Sequence, residues 1–185
     1  SGQVDFATVS NADDVPGVEA TPGLKITRFP VNWFGLNFFD RSGKLNPALA
    51  DVRVRQAINY AIDTKAILKA PGSSNGTLTS QIFPPSSVAY VKSLDSKYSY
   101  NPAKAKKLLK AAGYSSGLTI SMASTSGLID PAFFTTLKQS LANVGITVNL
   151  TQYPIADYVG ALLKGTYPMA LFLFGQASDW EIVTQ

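Results

Sequence analysis

The 185 residues contain no cysteine and no histidine. Their absence removes thiol chemistry, disulfides, the common zinc ligand sets and every histidine-based catalytic triad. Charge is sparse too, with 15% Asp, Glu, Lys and Arg against 45% hydrophobic residues. That balance lies away from the disordered corner, while no apolar run reaches the roughly 18 residues needed to span a bilayer. The net charge is +4, and Lys104, Lys106, Lys107 and Lys110 on one predicted helix already match that excess. What remains is diffuse, so an extended basic face for nucleic acid is not expected. No carboxylate pair at helical spacing stands out for acid-base work, and no glycine-rich phosphate loop follows a predicted strand.

Several elements can be read directly. Residues 51–63, DVRVRQAINYAID, place Val54, Ala57, Ile58, Ala61 and Ile62 at i, i+3, i+4, i+7 and i+8, an apolar helical stripe. Asp51 is placed to cap the first turn, and Asp63 to cap a second short helix through Ala66, Ile67 and Leu68. Arg53, Gln56 and Tyr60 share one polar face, with Arg55 and Asn59 on another, so hydrogen-bonding groups are offered to whatever lies over that side. Asn101, Pro102 and Gly113 bracket a further helix with Ala105, Leu108, Leu109 and Ala112 as its stripe. Upstream, 4–9 and 24–29 alternate weakly as two strands, a break falls over 11–17, and the run WFGLNFF over 33–39 favours sheet. Residues 70–99 carry prolines, glycines and many serines without periodicity, which predicts a long loop.

The second half reads as β-α-β-α-β. Leu118, Ile120 and Met122 alternate as a strand that gives way to a polar loop at 124–127, then Asp130 and Pro131 open a helix with Phe134, Leu137, Leu141 and Val144 on one face. Ile146, Val148 and Leu150 form the next strand. Pro154 opens a helix carrying Tyr158, Val159, Leu162 and Leu163, and 169–174 is a continuous apolar run suited to a strand buried on both faces. Two right-handed crossovers would make these three strands parallel, so the fold class is α/β. In such sheets ligands bind beyond the carboxyl ends of the strands. Three segments should therefore share a rim: 124–127, 151–153 and 175–180. Their small hydroxyls, amides and aromatics, with the single acid Asp179, suit selective binding better than bond breaking. Asp179 beside Trp180 could take a ligand ammonium by ion pairing and contact with the ring face.

Four stretches, GQVDFA, ALADVRVRQAINYAID, IFPPSS and YNPAKAKKLLKAAGY, together resemble the extracellular solute-binding proteins of family 5, which deliver peptides or nickel to ABC importers. The resemblance implies a mixed, mainly parallel sheet flanked by helices, like the C-terminal lobe of a periplasmic-binding-protein-like fold. It also implies inter-lobe crossing strands over 1–30 and the lobe itself over 31–185, with the other lobe not represented. By the same resemblance Asp179 and Trp180 keep the type of an acid and an aromatic that hold a peptide ammonium, and Gln176 replaces a tryptophan. Ser124 and Thr125 fall in the polar loop after a strand, while Trp33 and Phe34 fall where rings meet the ligand. Positions near Leu162 and Leu173, where some members carry arginines for a peptide carboxylate, are apolar. The implied protein is a monomeric, non-catalytic, cofactor-free binding lobe for a short peptide. It would be extracellular or periplasmic, tied to the membrane only by a lipid anchor outside these residues, and partnered by an ABC permease. A nickel chelate, a sugar oligomer or another solute is the alternative cargo. A serine-dependent hydrolase using the 124–127 loop, or an interaction module docking through the lysine-rich helix, is the alternative from another class.

Overall fold

The computed structural model describes residues 5–9, 14–27, 32–69, 76–126 and 131–175. Among them the sheet has four strands, β1 (Asn32–Phe38), β2 (Leu118–Ser126), β3 (Ile146–Pro154) and β4 (Met169–Gly175), in the order β1-β4-β2-β3. β2 runs parallel to β3 from Leu118↔Ile146 to Ser126↔Pro154 and parallel to β4 at Met122↔Met169 and Ala123↔Ala170. β1 is antiparallel to β4, from Asn32↔Gly175 to Phe38↔Met169. The expected α/β class and the three parallel strands are thus both present.

Successive side chains of a strand face opposite ways, and here each face has its own core. Ile120, Met122, Met169 and Leu171 join the main core. It is closed by α2 (Val52–Ala61), α4 (Pro102–Ala111) and α5 (Pro131–Ala142), with the short α3 (Thr64–Leu68) alongside. Ala123 and Ala170 point the other way, and their small side chains let Tyr158 of α6 (Ile155–Leu163) come down onto the sheet. α5 and α6 therefore lie on opposite faces.

The helix caps form as the sequence predicts. Asp51 accepts from the backbone N–H of Arg53 at 2.8 Å, Asp63 from Ala66 at 2.9 Å, and Asn101 from Lys104 at 2.9 Å. The polar face of α2 meets α4. Arg53 donates to the Ala111 carbonyl at 2.7 Å, while Lys104 donates to the Tyr60 hydroxyl at 2.7 Å and sits 4.1 Å from that ring's centroid. A family of polar contacts thus seats the most basic helix, leaving Lys106, Lys107 and Lys110 as a solvated side.

Four readings need correction. Residues 5–9 and 24–27 are not strands, since they are largely exposed with no partner strand among the described residues; a short helix, α1 (Val15–Glu19), falls where a break was expected. β2 and β3 run on through Ser126 and Pro154, so the polar stretches at 124–126 and 151–153 are strand rather than loop. β4 is fully buried only over Met169, Ala170 and Leu171, while Phe172, Leu173 and Phe174 are half-buried. On α6 itself Tyr158 is buried, but Val159 and Leu163 are exposed.

The loop over 76–99 has its own polar centre. Gln81 donates to the Val91 carbonyl at 2.9 Å and to Asp95 at 2.8 Å, and accepts from the Val91 N–H at 3.1 Å. Asp95 also accepts from Thr79 at 2.9 Å and from the Tyr90 hydroxyl. The Tyr90 hydroxyl, with Gln81 and Thr79 behind it, outweighs burial and holds the Asp95 carboxyl below its ordinary range.

Candidate functional site

The carboxyl ends of the parallel strands converge on one rim. β2 leaves the sheet toward α5 on one face and β3 toward α6 on the other, so the chain parts on either side of the Thr125↔Tyr153 pair. A crevice at that point is where open α/β sheets hold ligands. Because β1 is antiparallel, its beginning lies at the same rim, with Trp33 opposite Phe174 and Phe34 opposite Leu173.

The expected residues take different stations along this rim. Ser124 and Thr125 are buried within β2, where Ser124 donates to the Thr151 carbonyl of β3 at 3.4 Å. Trp33 and Phe34, being consecutive in a strand, face opposite ways. The Trp33 ring centroid is 5.9 Å from that of Phe174, which stands 5.4 Å from Phe172, giving an aromatic row across β1 and β4. Phe34 turns to α5 and packs edge-on against Phe133 at 5.1 Å. Gln176, Asp179 and Trp180 lie outside the described residues.

The seat of Trp33 is made by a missing side chain. A Cβ at Gly35 would lie 2.1 Å from the indole Cη2, so the ring lies across the bare backbone of its own strand. Gly35→Ala is expected to swing the indole off the sheet. Trp33 is one of two tryptophans in the sequence. A red-shifted emission and stronger acrylamide quenching in Gly35→Ala, absent when Trp33→Phe is added, would report the displacement; an unchanged spectrum counts against this seat.

Between β2 and β4 the ladder ends at Ala123↔Ala170 and the strands separate. The freed carbonyl of Leu171 is taken by the Tyr158 hydroxyl, which donates to it at 2.5 Å. Burial pushes the Tyr158 phenol up to about 12, so the group is a neutral donor at any physiological pH. Nearby the Tyr153 and Tyr167 hydroxyls are 2.8 Å apart, a bond that together with burial raises the Tyr153 phenol as well. Tyr158 closes the floor of an apolar groove of about 200 Å³ walled by Ile155 and Val159 of α6 and by Phe34, Phe172 and Leu173. Sequence reasoning missed this groove. Its signal was available: Ile155, Val159 and Leu163 form a second apolar stripe at i, i+4 and i+8 beside Tyr158 and Leu162, too wide an arc for one sheet to bury.

Hydroxyls, backbone amides and rings dominate what is described here, and no group of three metal-ligating acids occurs among the described residues. The arrangement offers apolar contact and hydrogen bonding, the means of selective binding.

Known proteins share this architecture. The chain is 28% identical over 183 residues to heme-binding protein A of Haemophilus influenzae, covering 93% of this chain and 32% of the relative. It is 37% identical over 102 residues to the glutathione-binding protein GsiB of Salmonella choleraesuis, covering 54% of this chain and 19% of that protein. The periplasmic binding protein DppA of Helicobacter pylori, solved in complex with the peptide STSA, superposes with a TM-score of 0.74 at 27% identity, over 89% of this chain and 31% of that one. The chain spans about a third or less of the length of these relatives. All three are named as binding proteins, and residues 1–181 match the family of bacterial extracellular solute-binding proteins, family 5, to whose middle region this chain belongs.

Proposed function

We propose that residues 31–185 are the C-terminal lobe of a two-lobed solute-binding protein that captures a short peptide and hands it to an ABC permease, with 1–30 contributing to the crossing between lobes. Trp33 and Phe174 paired at the carboxyl rim, one step from the Phe34↔Leu173 pair and the apolar groove, carry this reading. Such a surface is half of a cleft: it gains affinity when a second lobe closes over the ligand and expels water. Asp179 takes the peptide ammonium, with Trp180 and Gln176 beside it and Ser124 and Thr125 backing the rim from within β2. The lobe performs no covalent step. It works outside the cytoplasmic membrane as a monomer, held to the surface by a lipid anchor on the longer polypeptide.

Native mass spectrometry of the two-lobed polypeptide against pools of di- to tetrapeptides, sugar oligomers and nickel chelates tests this. Selective retention of peptides is expected, with Asp179→Ala weakening it roughly 10- to 100-fold, as loss of a charge-assisted hydrogen bond would. Turnover of any pool member, or capture of sugars or chelates in preference to peptides, overturns the reading; full affinity in Asp179→Ala overturns only the role of that acid.

A further inference from the structure

Resting on the solute-binding reading, we propose that the groove between α6 and β4 receives one apolar side chain of the ligand, a single ring or a branched aliphatic group, and discriminates against a charged one there. Size sets the first limit. A cavity of about 150 Å³ lined by Leu, Ile and Phe holds one benzene, and this groove measures about 200 Å³. It fits a phenyl or isobutyl group and is too small for a macrocycle or a disaccharide.

The lining sets the chemistry. Ile155 is 52% and Val159 48% exposed, yet both line one depression with Phe172 and Leu173. The hydroxyl at its floor is already engaged, since Tyr158 donates to the Leu171 carbonyl. Water in such a place makes few hydrogen bonds, so its displacement by an apolar group is favourable. A charged group would be desolvated there without a counter-ion. The nearest acid on the same helix, Asp157, lies about 200° round from Ile155 and so on the opposite flank. The groove also runs on into the aromatic row: Phe172 is shared by both, and Phe174 and Trp33 follow at 5.4 and 5.9 Å. A ligand lying along the rim would meet apolar surface at two successive points. Leu163, 83% exposed at the far end of the stripe, continues the apolar edge of α6 past the groove.

The test separates the groove from the wider reading by using the 185-residue chain without any second lobe. Its Ile, Val and Leu methyl groups are labelled and followed by NMR during titration with N-acetylphenylalaninamide and with N-acetyllysinamide. Shifts confined to Ile155, Val159 and Leu173, saturating for the phenylalanine probe and at least about 10-fold weaker for the lysine probe, are expected. Val159→Lys, a change at a half-exposed position, should abolish them while leaving the methyl spectrum of the main core unchanged. Equal response to both probes, no response at these methyls, or an undiminished response in Val159→Lys overturns the proposal, whatever the two-lobed protein binds. Failure of the two-lobed protein to retain any peptide overturns the function proposed above and leaves the NMR result to decide the groove.

Discussion

Ile58→Ala is expected to destabilise the chain by about 3 kcal/mol and to lower its melting midpoint by roughly 8 °C. Ile58 is fully buried on α2, in the cluster that joins Leu49, Val54 and Leu109 to Met122 and Leu137 of the sheet and α5. Alanine removes three carbons from a position enclosed by three different elements. The 3-10 turn Pro47–Ala50, α4 and α5 all pack against α2, so its neighbours cannot collapse into the void without parting from one another. The cost should therefore include a cavity penalty as well as the lost transfer energy. Val52→Ala on the same helix provides the contrast: its side chain is 53% exposed, and a change within about 0.5 kcal/mol is expected. Urea and thermal unfolding of the two variants would settle the comparison. A loss below about 1 kcal/mol for Ile58→Ala would mean that α2 is not the keystone of the main core.

This helix was also the easiest element to read, because periodicity, cap and polar face all point to one packing arrangement. The same agreement made α4 and the order of β2, α5, β3, α6 and β4 legible. Strand ends were not. Ser124, Thr125 and Thr151 look like loop residues by polarity, but the parallel register continues through them, and Ser124 adds a side-chain bond to the neighbouring strand. Local polarity says nothing of a partner strand 27 positions away. The opposite error befell residues 5–9 and 24–27, whose alternation has no neighbour to pair with among the described residues. Gln81 and Asp95, 14 positions apart, hold a loop together without any period a scan would detect. For the site, strand order predicted a shared rim for 124–127, 151–153 and 175–180, and Thr125 and Tyr153 do pair there. That the antiparallel β1 brings Trp33 to the same rim is a structural finding that strand order did not supply. The groove depends on how far α6 reaches across β4 and on the parting of β2 from β4, both tertiary facts. Its outward stripe, Ile155, Val159 and Leu163, is visible in the sequence as excess hydrophobicity on one helix, without any sign of what it borders.

Asp40→Ala is the second substitution expected to have a large effect, lowering the melting midpoint by roughly 10 °C. Asp40 is a buried carboxylate that ties down the turn between β1 and α2. One oxygen accepts from the Lys44 N–H at 2.8 Å and the Ser42 hydroxyl at 3.2 Å; the other accepts from the N–H groups of Leu45 at 2.7 Å and Asn46 at 2.8 Å. Its own N–H and that of Phe39 donate to the Pro168 carbonyl ahead of β4, at 3.1 and 2.9 Å. Asn46, fixed by this turn, caps the Pro47–Ala50 turn and donates to the Thr119 carbonyl of β2 at 2.9 Å. The turn also needs Gly43, whose φ of 76° lies in the left-handed region and whose Cβ would press on Pro47. Alanine at position 40 leaves three converging N–H groups without their acceptor. Asparagine should rescue little, because its amide nitrogen would face donors. The effect carries a pH signature. Burial works to raise the Asp40 carboxyl, but the bonds from Asn46, Leu45, Lys44 and Ser42 outweigh it and hold the group below the ordinary range of about 3.9. The folded chain thus binds fewer protons here than the unfolded one, so this stabilisation is present above about pH 4 and is lost as pH falls through the depressed folded value. Asp51, held down by Arg53, and Asp95, held down by Tyr90, act in the same sense. Melting curves recorded between about pH 2 and 7 should therefore show stability falling steeply at the acid end, and Asp40→Ala should flatten that limb as well as lower the plateau. A variant with an unaltered acid slope would show that the carboxylate contributes through shape alone.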